Sequence, residues 1–334
     1  MLNKLNATFS NPEYLTARTF SDYYRATAAS FPDLCDLLDE DAISDDRLDD
    51  YVRVMNSLSW EFEDLADGGR GVAYNVAQRV VGNRQQGMVA LLKCFSPSFR
   101  DMPDANTKIL DVLGGDGTIA RFVQSIDGPR PTIFTADLSR FMVDACMSQG
   151  LPCVRQSATR SLFKDNSLDG VLIAYGSHHL TAEDRQLAIA EAYRTLKPGG
   201  RLVLHDFETG GEAARWFEEV VHVYSRTGHP HPHFMRSEMW EGFSTAGFRD
   251  VRVFDLNDPF TLPGATADEA VSNALMHMYH MYDLVKIANG GDDILNRVAC
   301  CVEETLGKIH VDKAEDEFVA TIPRRALVAV GTKS

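Results

Sequence analysis

The chain has 334 residues, 44% of them apolar and 24% charged, and a formal net charge of −15. That length accommodates an α/β domain with an accessory region, and so acidic a chain argues against a phosphate-lined groove and hence against nucleic acid. Its apolar runs, such as residues 171–174, are strand-sized and too short to span a bilayer, so no membrane association is expected.

The opening residues 1–7 lack the charged-then-apolar pattern of a secretion signal, which makes a cytoplasmic location the expectation. Six cysteines without CxxC spacing read as reduced, mostly buried thiols. Residues 21–31, 46–57 and 74–95 carry apolar side chains at three-to-four spacing and predict helices, broken at Gly68-Gly69 and Ser96-Pro97-Ser98. No strand run is evident there, so residues 1–104 are expected to form a helical N-terminal cap, followed by a catalytic domain over 105–334.

The period changes near residue 105. Strand-like runs at 108–112, 132–135, 168–174 and 201–206 alternate with helical patterns at 119–126, 140–149 and 184–196. Alternation of this kind builds a parallel sheet from βαβ units, an α/β Rossmann-like class. Beyond Glu212 come a long helix, a helix over 235–246, a strand over 251–255, a further helical stretch and a last strand near 325–331.

The segment Asp111-Val112-Leu113-Gly114-Gly115-Asp116-Gly117 joins an apolar strand to a helix. Glycine lets backbone turn and lets a ligand approach unobstructed, and the following helix presents free N–H groups. Asp137 ends the next strand, where a carboxylate can accept hydrogen bonds from a ribose diol, with Leu138 behind it. Ser157-Ala158, the Asp165-Asn166-Ser167-Leu168-Asp169-Gly170-Val171 strand entry and the Leu196-Lys197-Pro198-Gly199-Gly200 turn follow in order.

Together these segments resemble class I S-adenosylmethionine-dependent methyltransferases over residues 105–255, with Leu113 standing where the family loop has its first glycine. A dinucleotide-binding domain would call for G-x-G-x-x-G, which is absent. The resemblance implies S-adenosylmethionine as cofactor, with Asp111, Gly114, Gly115 and Gly117 by its amino-acid part. It implies Asp137 and Leu138 by the ribose, Ser157 and Ala158 by the adenine, and Tyr175 and Ser177 where cofactor faces substrate.

Histidines concentrate at strand ends and in the loops after them, where α/β sheets place ligands. His205-Asp206 end one strand, and His229, His231 and His233 alternate with prolines. His277 and His280 lie in a Met- and Tyr-rich stretch that reads as plain core or as a pocket wall. The His-Asp pair, the loop and the helical N-terminal part are similar to bacterial α-keto acid C-methyltransferases of peptide-antibiotic biosynthesis. Members act on phenylpyruvate, indolepyruvate, 4-methyl-2-oxovalerate or 5-guanidino-2-oxopentanoate.

That resemblance implies a divalent metal or iron (Fe or Zn) held by His205 and a second histidine, His280 or His233, and stabilising an enolate. Asp206 would orient a ring or take a proton. Among Trp60, Arg70, Arg79 and Arg84, an arginine (Arg84 foremost) would clamp the substrate carboxylate. A homodimer is the family habit. Two other readings stay open: an O-methyltransferase with a histidine general base, and a regulatory protein that binds S-adenosylmethionine without catalysis.

Overall fold

The computed structural model describes residues 29–43, 68–288 and 293–334, together with Tyr24, Thr27, Tyr51, 55–57, 61–64 and 66. The helices expected at 21–31 and 46–57 and the candidate Trp60 lie wholly or largely outside those residues. Seven strands form the main sheet in the order β3-β2-β1-β4-β5-β10-β6. They are β1 (Lys108–Asp111), β2 (Thr132–Asp137), β3 (Cys153–Arg155), β4 (Leu168–Ala174), β5 (Leu196–Asp206), β6 (Arg249–Asn257) and β10 (Arg325–Thr332). Only β10 runs against its neighbours, pairing antiparallel with both β5 and β6. This is the α/β Rossmann-like architecture the alternation predicts.

Six helices flank or follow these strands: α3 (Thr118–Ser125), α4 (Arg140–Ser148), α5 (Ala182–Thr195), α6 (212–224), α7 (Arg236–Ala246) and, before β1, α2 (Gln85–Lys93). β1 and β4 are buried along almost their full length, as parallel strands covered on both faces must be. The first core draws Ile109, Leu110, Val171 and Leu172 of the sheet together with Leu34, Leu38, Met88, Leu91 and Leu92 from before β1. Residues on both sides of position 104 therefore share one interior.

The helix expected over 74–95 is interrupted. It runs as α1 (Gly71–Ala77), a 3-10 turn (Val81–Arg84) and then α2. The break turns Gln78, Asn83 and Arg84 inward, where all three are buried.

Between β6 and β10 the chain inserts β7 (Phe260–Gly264), α8 (Ala267–Met281), α9 (Ile294–Thr305), β8 (His310–Ala314) and β9 (Glu317–Ile322). The three strands make a separate antiparallel sheet, β7-β9-β8, which the sequence pattern does not announce. β8 is exposed at all five positions, and β7 alternates only over Phe260-Thr261-Leu262 before Pro263 and Gly264 break the pattern, too short a run to announce a strand. Phe260, Leu262, Leu275, Met278, Val298 and Val302 of this insertion form a second core with Trp216, Phe217 and Val220 of α6. In α6 residues Trp216–Val221 are wound as π-helix. No helix among the described residues is long and apolar enough to cross a membrane.

Candidate active site

The glycine loop leaves β1 at Asp111, which is 2% exposed. Gly115 and Gly117 take positive φ of 55° and 83°, the left-handed region that favours glycine. A Cβ on Gly117 would lie 2.7 Å from both Cys146 Sγ and Leu151 Cδ1, so the turn into α3 has no room for a side chain. The Gly115 N–H donates to Asp137 Oδ2 at 2.9 Å and the Ser139 N–H donates to Oδ1 at 2.8 Å. Loop and second strand are thus latched at the carboxylate expected to receive a ribose.

Burial, and for Asp111 the neighbouring Asp137, push these two carboxyls up, to about 7 for Asp111 and about 6 for Asp137. Leu113, in place of a glycine, packs near Gly176, its Cδ1 3.6 Å from the position of a Cβ there. Ser157 N–H donates to Tyr51 Oη at 2.7 Å, placing a ring from the N-terminal part beside the predicted adenine end; Ala158 is buried and the Leu138 carbonyl accepts from Arg155.

Residues 61–64 and 68–71 fold over this edge. Glu63 accepts from the Arg140 and Phe141 N–H groups at 2.9 and 3.1 Å, capping α4 from another part of the chain. Tyr74 stands 3.8 Å from where a Gly115 Cβ would be.

Beyond Tyr175, at the end of β4, a cavity is lined by Phe62, Arg70, Tyr74, Arg84, Tyr175, His178, His179, Phe207, Phe217, Phe260, Met281, Tyr282 and Arg324. Tyr175 has φ of 63°, a strained value for a tyrosine that marks the strand end as special. Two guanidinium groups lie over its ring, Arg84 4.3 Å and Arg324 5.6 Å from the centroid. Arg324 is fully committed: it donates through Nη2 to Asp258 Oδ2 and through Nε to the Asp258 carbonyl at 2.9 Å. Despite burial, Arg324 and then His205 hold the Asp258 carboxyl below the ordinary carboxylate range. Arg84 is different. It donates to Gln78 Oε1 at 2.7 Å, but its Nε is buried without a partner, and no ion pair holds it among the described residues.

The structure separates the predicted His205-Asp206 pair. Adjacent strand residues point to opposite faces, so His205 packs against the Tyr175 ring at 4.2 Å with Nε2 3.3 Å from Asp258 Oδ2. Asp206 faces the other way and orients a different histidine. Its carboxylate accepts from His178 Nδ1 and the His178 N–H at 2.8 Å each, and from the Ser177 hydroxyl and the Phe207 N–H. Although burial opposes it, His178 and these hydrogen bonds hold the Asp206 carboxyl well below the usual range. His205 is fully buried and does not line the cavity; His178 and His179 do.

The expected metal ligands do not come together. Among the described residues, the groups whose ligand atoms lie within 4.8 Å of one another are His178–His179–His229 and Glu61–His179–His231, and neither contains His205, His233 or His280. His233 stacks on His178 at 5.1 Å and 7°, while His280 lies near Tyr279 at 5.3 Å on the half-exposed side of α8. His277, three residues before it, turns inward to Asn83 and Phe260. Burial, followed by neighbouring charges, lowers His179 and His233 to about 4 each and His277 to about 3. Sequence reasoning passed over His178, His179 and Arg324 as site residues. The adjacent His178-His179 directly after a strand end was the available signal; Arg324, two residues before β10, offered none.

Comparison with known proteins gives the family. A family model described as "Methyltransferase domain" matches residues 110–204. The ubiquinone/menaquinone biosynthesis C-methyltransferase UbiE of Cupriavidus necator is 30% identical over 169 residues, 48% of this chain and 67% of that protein. The chain belongs to the class I S-adenosylmethionine-dependent methyltransferases. The UbiE of Saccharophagus degradans is 33% identical over 108 residues, 30% of this chain and 43% of that one, so the match spans less than half of that relative's length. Among solved structures, phosphoethanolamine N-methyltransferase 2 of Haemonchus contortus, in complex with phosphomonomethylethanolamine and S-adenosylhomocysteine, aligns with a TM-score of 0.52. It is 18% identical, over 81% of this methyltransferase and 60% of that chain, which shows the shared fold.

Proposed function

We propose that this methyltransferase transfers the sulfonium methyl group to the β-carbon of a small α-keto acid, in the biosynthesis of a peptide natural product. The observation that carries the reading is Arg84: a buried guanidinium at the wall of a cavity next to Tyr175, its Nε unbonded and its charge in no direct ion pair among the described residues, with the Asp111 and Asp258 carboxyls acting on it only at longer range. An unpaired buried charge is costly, and a planar carboxylate answers a guanidinium fork in two-point geometry. C-methylation, the activity for which the UbiE relatives are named, supports carbon as the acceptor.

The rest of the wall supports an aromatic side chain on the substrate. Phe62, Phe207, Phe217 and Phe260 provide ring faces, and the other two cavity arginines would repel a guanidino group. Arg324, held by Asp258, also lies over the Tyr175 ring, and the Tyr175 hydroxyl donates to Asp258 Oδ1 at 3.3 Å. Catalysis then rests on positioning: Arg84 holds the carboxylate, the rings exclude water, and the glycine loop and Asp137 present the methyl in line. A divalent cation, when bound, would supply Lewis-acid stabilisation of the enolate. The set His205, His233 and His280 does not fit one, and no step is drawn through that set.

The His178–Asp206 pair favours a second reading, since an imidazole oriented by a buried carboxylate at a cavity wall is what a general base needs. That would suit O-methylation of a hydroxylated acceptor. The test is a panel of aryl and branched keto acids against hydroxylated analogues, with the methylated atom identified by carbon NMR. Methylation at the β-carbon, with KM raised and kcat less affected in Arg84→Met, is the expected result. Transfer to oxygen, or no turnover of any keto acid, overturns it.

A further inference from the structure

We propose that His178, His179 and His229 bind a divalent cation of the zinc type at the edge of the cavity, with Asp206 and Glu61 orienting two of the rings from outside the site. Their candidate ligand atoms lie within 4.8 Å of one another, close enough for a small movement to converge on one ion. His178 and His179 follow the end of β4, whereas His229 arrives on the Gly228-His229-Pro230 loop, 50 or so positions along the chain and anchored by its own N–H to His222 Nδ1 at 3.1 Å.

Three features distinguish this cluster from a chance gathering of rings. First, His178 gives its Nδ1 hydrogen to Asp206 at 2.8 Å, which leaves the Nε2 lone pair free. A carboxylate behind a ligating histidine fixes both tautomer and ring direction in metal sites. Second, His179 Nδ1 stands 3.0 Å from Glu61 Oε2, a carboxylate near enough to orient this second ring although the pair is not aligned as a hydrogen bond. Third, both nitrogens of His229 are buried without a partner, although the residue is only 4% exposed. Buried polar atoms ordinarily have partners, and a cation would take one of these two nitrogens.

Three imidazoles and no thiolate suit zinc or another borderline divalent ion with one position left open. His178 and His179 both line the cavity, so the open position faces it, where a carbonyl or carboxylate oxygen of a small ligand could complete the coordination. His233, stacked flat on His178, closes the far side of the cluster as a wall. The cation site stands apart from the keto acid reading. A chain that holds the ion yet methylates no keto acid keeps the site and loses that reading.

The test uses the full chain, stripped with chelator and titrated with zinc and with cobalt, reading bound metal by emission spectroscopy and cobalt geometry by visible absorption. Stoichiometric binding is expected, with the intense bands of a four-coordinate cobalt site. His178→Gln and His229→Gln should each weaken binding by more than about a hundredfold, and Glu61→Gln by about tenfold, in the range for an orienting partner. His233→Gln should leave it unchanged. If a variant fails to fold, the wild-type chain still decides: zinc must raise its melting temperature in a concentration-dependent way. Absence of binding and of that rise overturns the proposal. So does retention of the ion in His229→Gln, or its loss in His231→Gln alone, which would assign the cation to Glu61, His179 and His231.

Discussion

The cofactor side and the cavity side of this methyltransferase are built by different means. The cofactor side is local: Asp111, Gly115 and Gly117 lie within one strand–loop–helix turn, and Asp137 joins them through a single parallel neighbour. The cavity side is assembled from parts of the chain far apart in sequence. Arg84 comes from before the sheet, His178 from β4's end, Phe217 from α6, and Phe260, Met281 and Arg324 from the insertion, across the junction of two cores. A local site depends on backbone shape, a convergent one on buried charges held by distant partners.

If that contrast is right, the largest single effect should fall on the convergent side. Arg324→Ala strips Asp258 of its buried cation, and removing one partner of a buried pair costs about 3–5 kcal/mol. Thermal melts should show it, whereas a loss under about 1 kcal/mol would mean that Arg84 and His205 suffice to hold the carboxylate.

Next comes the loop. Gly117→Ala adds a Cβ 2.7 Å from Cys146 Sγ at a φ of 83°, and should cost about 2 kcal/mol while abolishing S-adenosylhomocysteine binding in calorimetry. Binding at wild-type strength would refute the claim that backbone shape decides this side.

Asp137→Asn should weaken that ligand by about tenfold, a charged hydrogen bond being worth roughly 1.5–3 kcal/mol. The same residue gives a pH signature. Its carboxyl sits at about 6 in the folded chain, above the unfolded value, so the protonated form is the one folding favours. That contribution is present below pH 4 and lost as pH rises through about 6. A ribose diol donates to the ionised form, so affinity should climb from pH 5 to 7 and then level off, and Asp137→Asn should flatten the climb.

On the cavity side the sign reverses. His277, lowered to about 3, is neutral when folded and protonated when unfolded across that same window, so it contributes stability that is lost as pH falls below its ordinary value. His277→Gln should therefore flatten the acid limb of the melting curve and leave cofactor affinity untouched.

The smallest effect belongs to Leu113→Gly. Leu113 packs by Gly176 instead of reaching the latch between Gly115 and Asp137, so restoring the family glycine should change S-adenosylhomocysteine affinity by less than about threefold. A larger gain would show that this side chain obstructs the ligand.

By itself the sequence determined the period of the main sheet, the glycine loop after β1 and the acidic end of β2 at Asp137. Each depends on neighbours a few positions away or on one parallel pairing, which hydrophobic spacing and turn chemistry record. Arg84 was one of several arginine candidates, and only the break in the helix turned it inward. Only the tertiary structure decided which histidines meet. Strand alternation sent His205 and Asp206 to opposite faces, gave Asp206 to His178, and brought His229 beside both from a proline-bound loop. It also supplied the three-stranded sheet and Arg324, whose burial is set by long-range closure. Spacing along a chain reports direction within one element; it carries no record of which ends meet when a sheet and its insertion pack together.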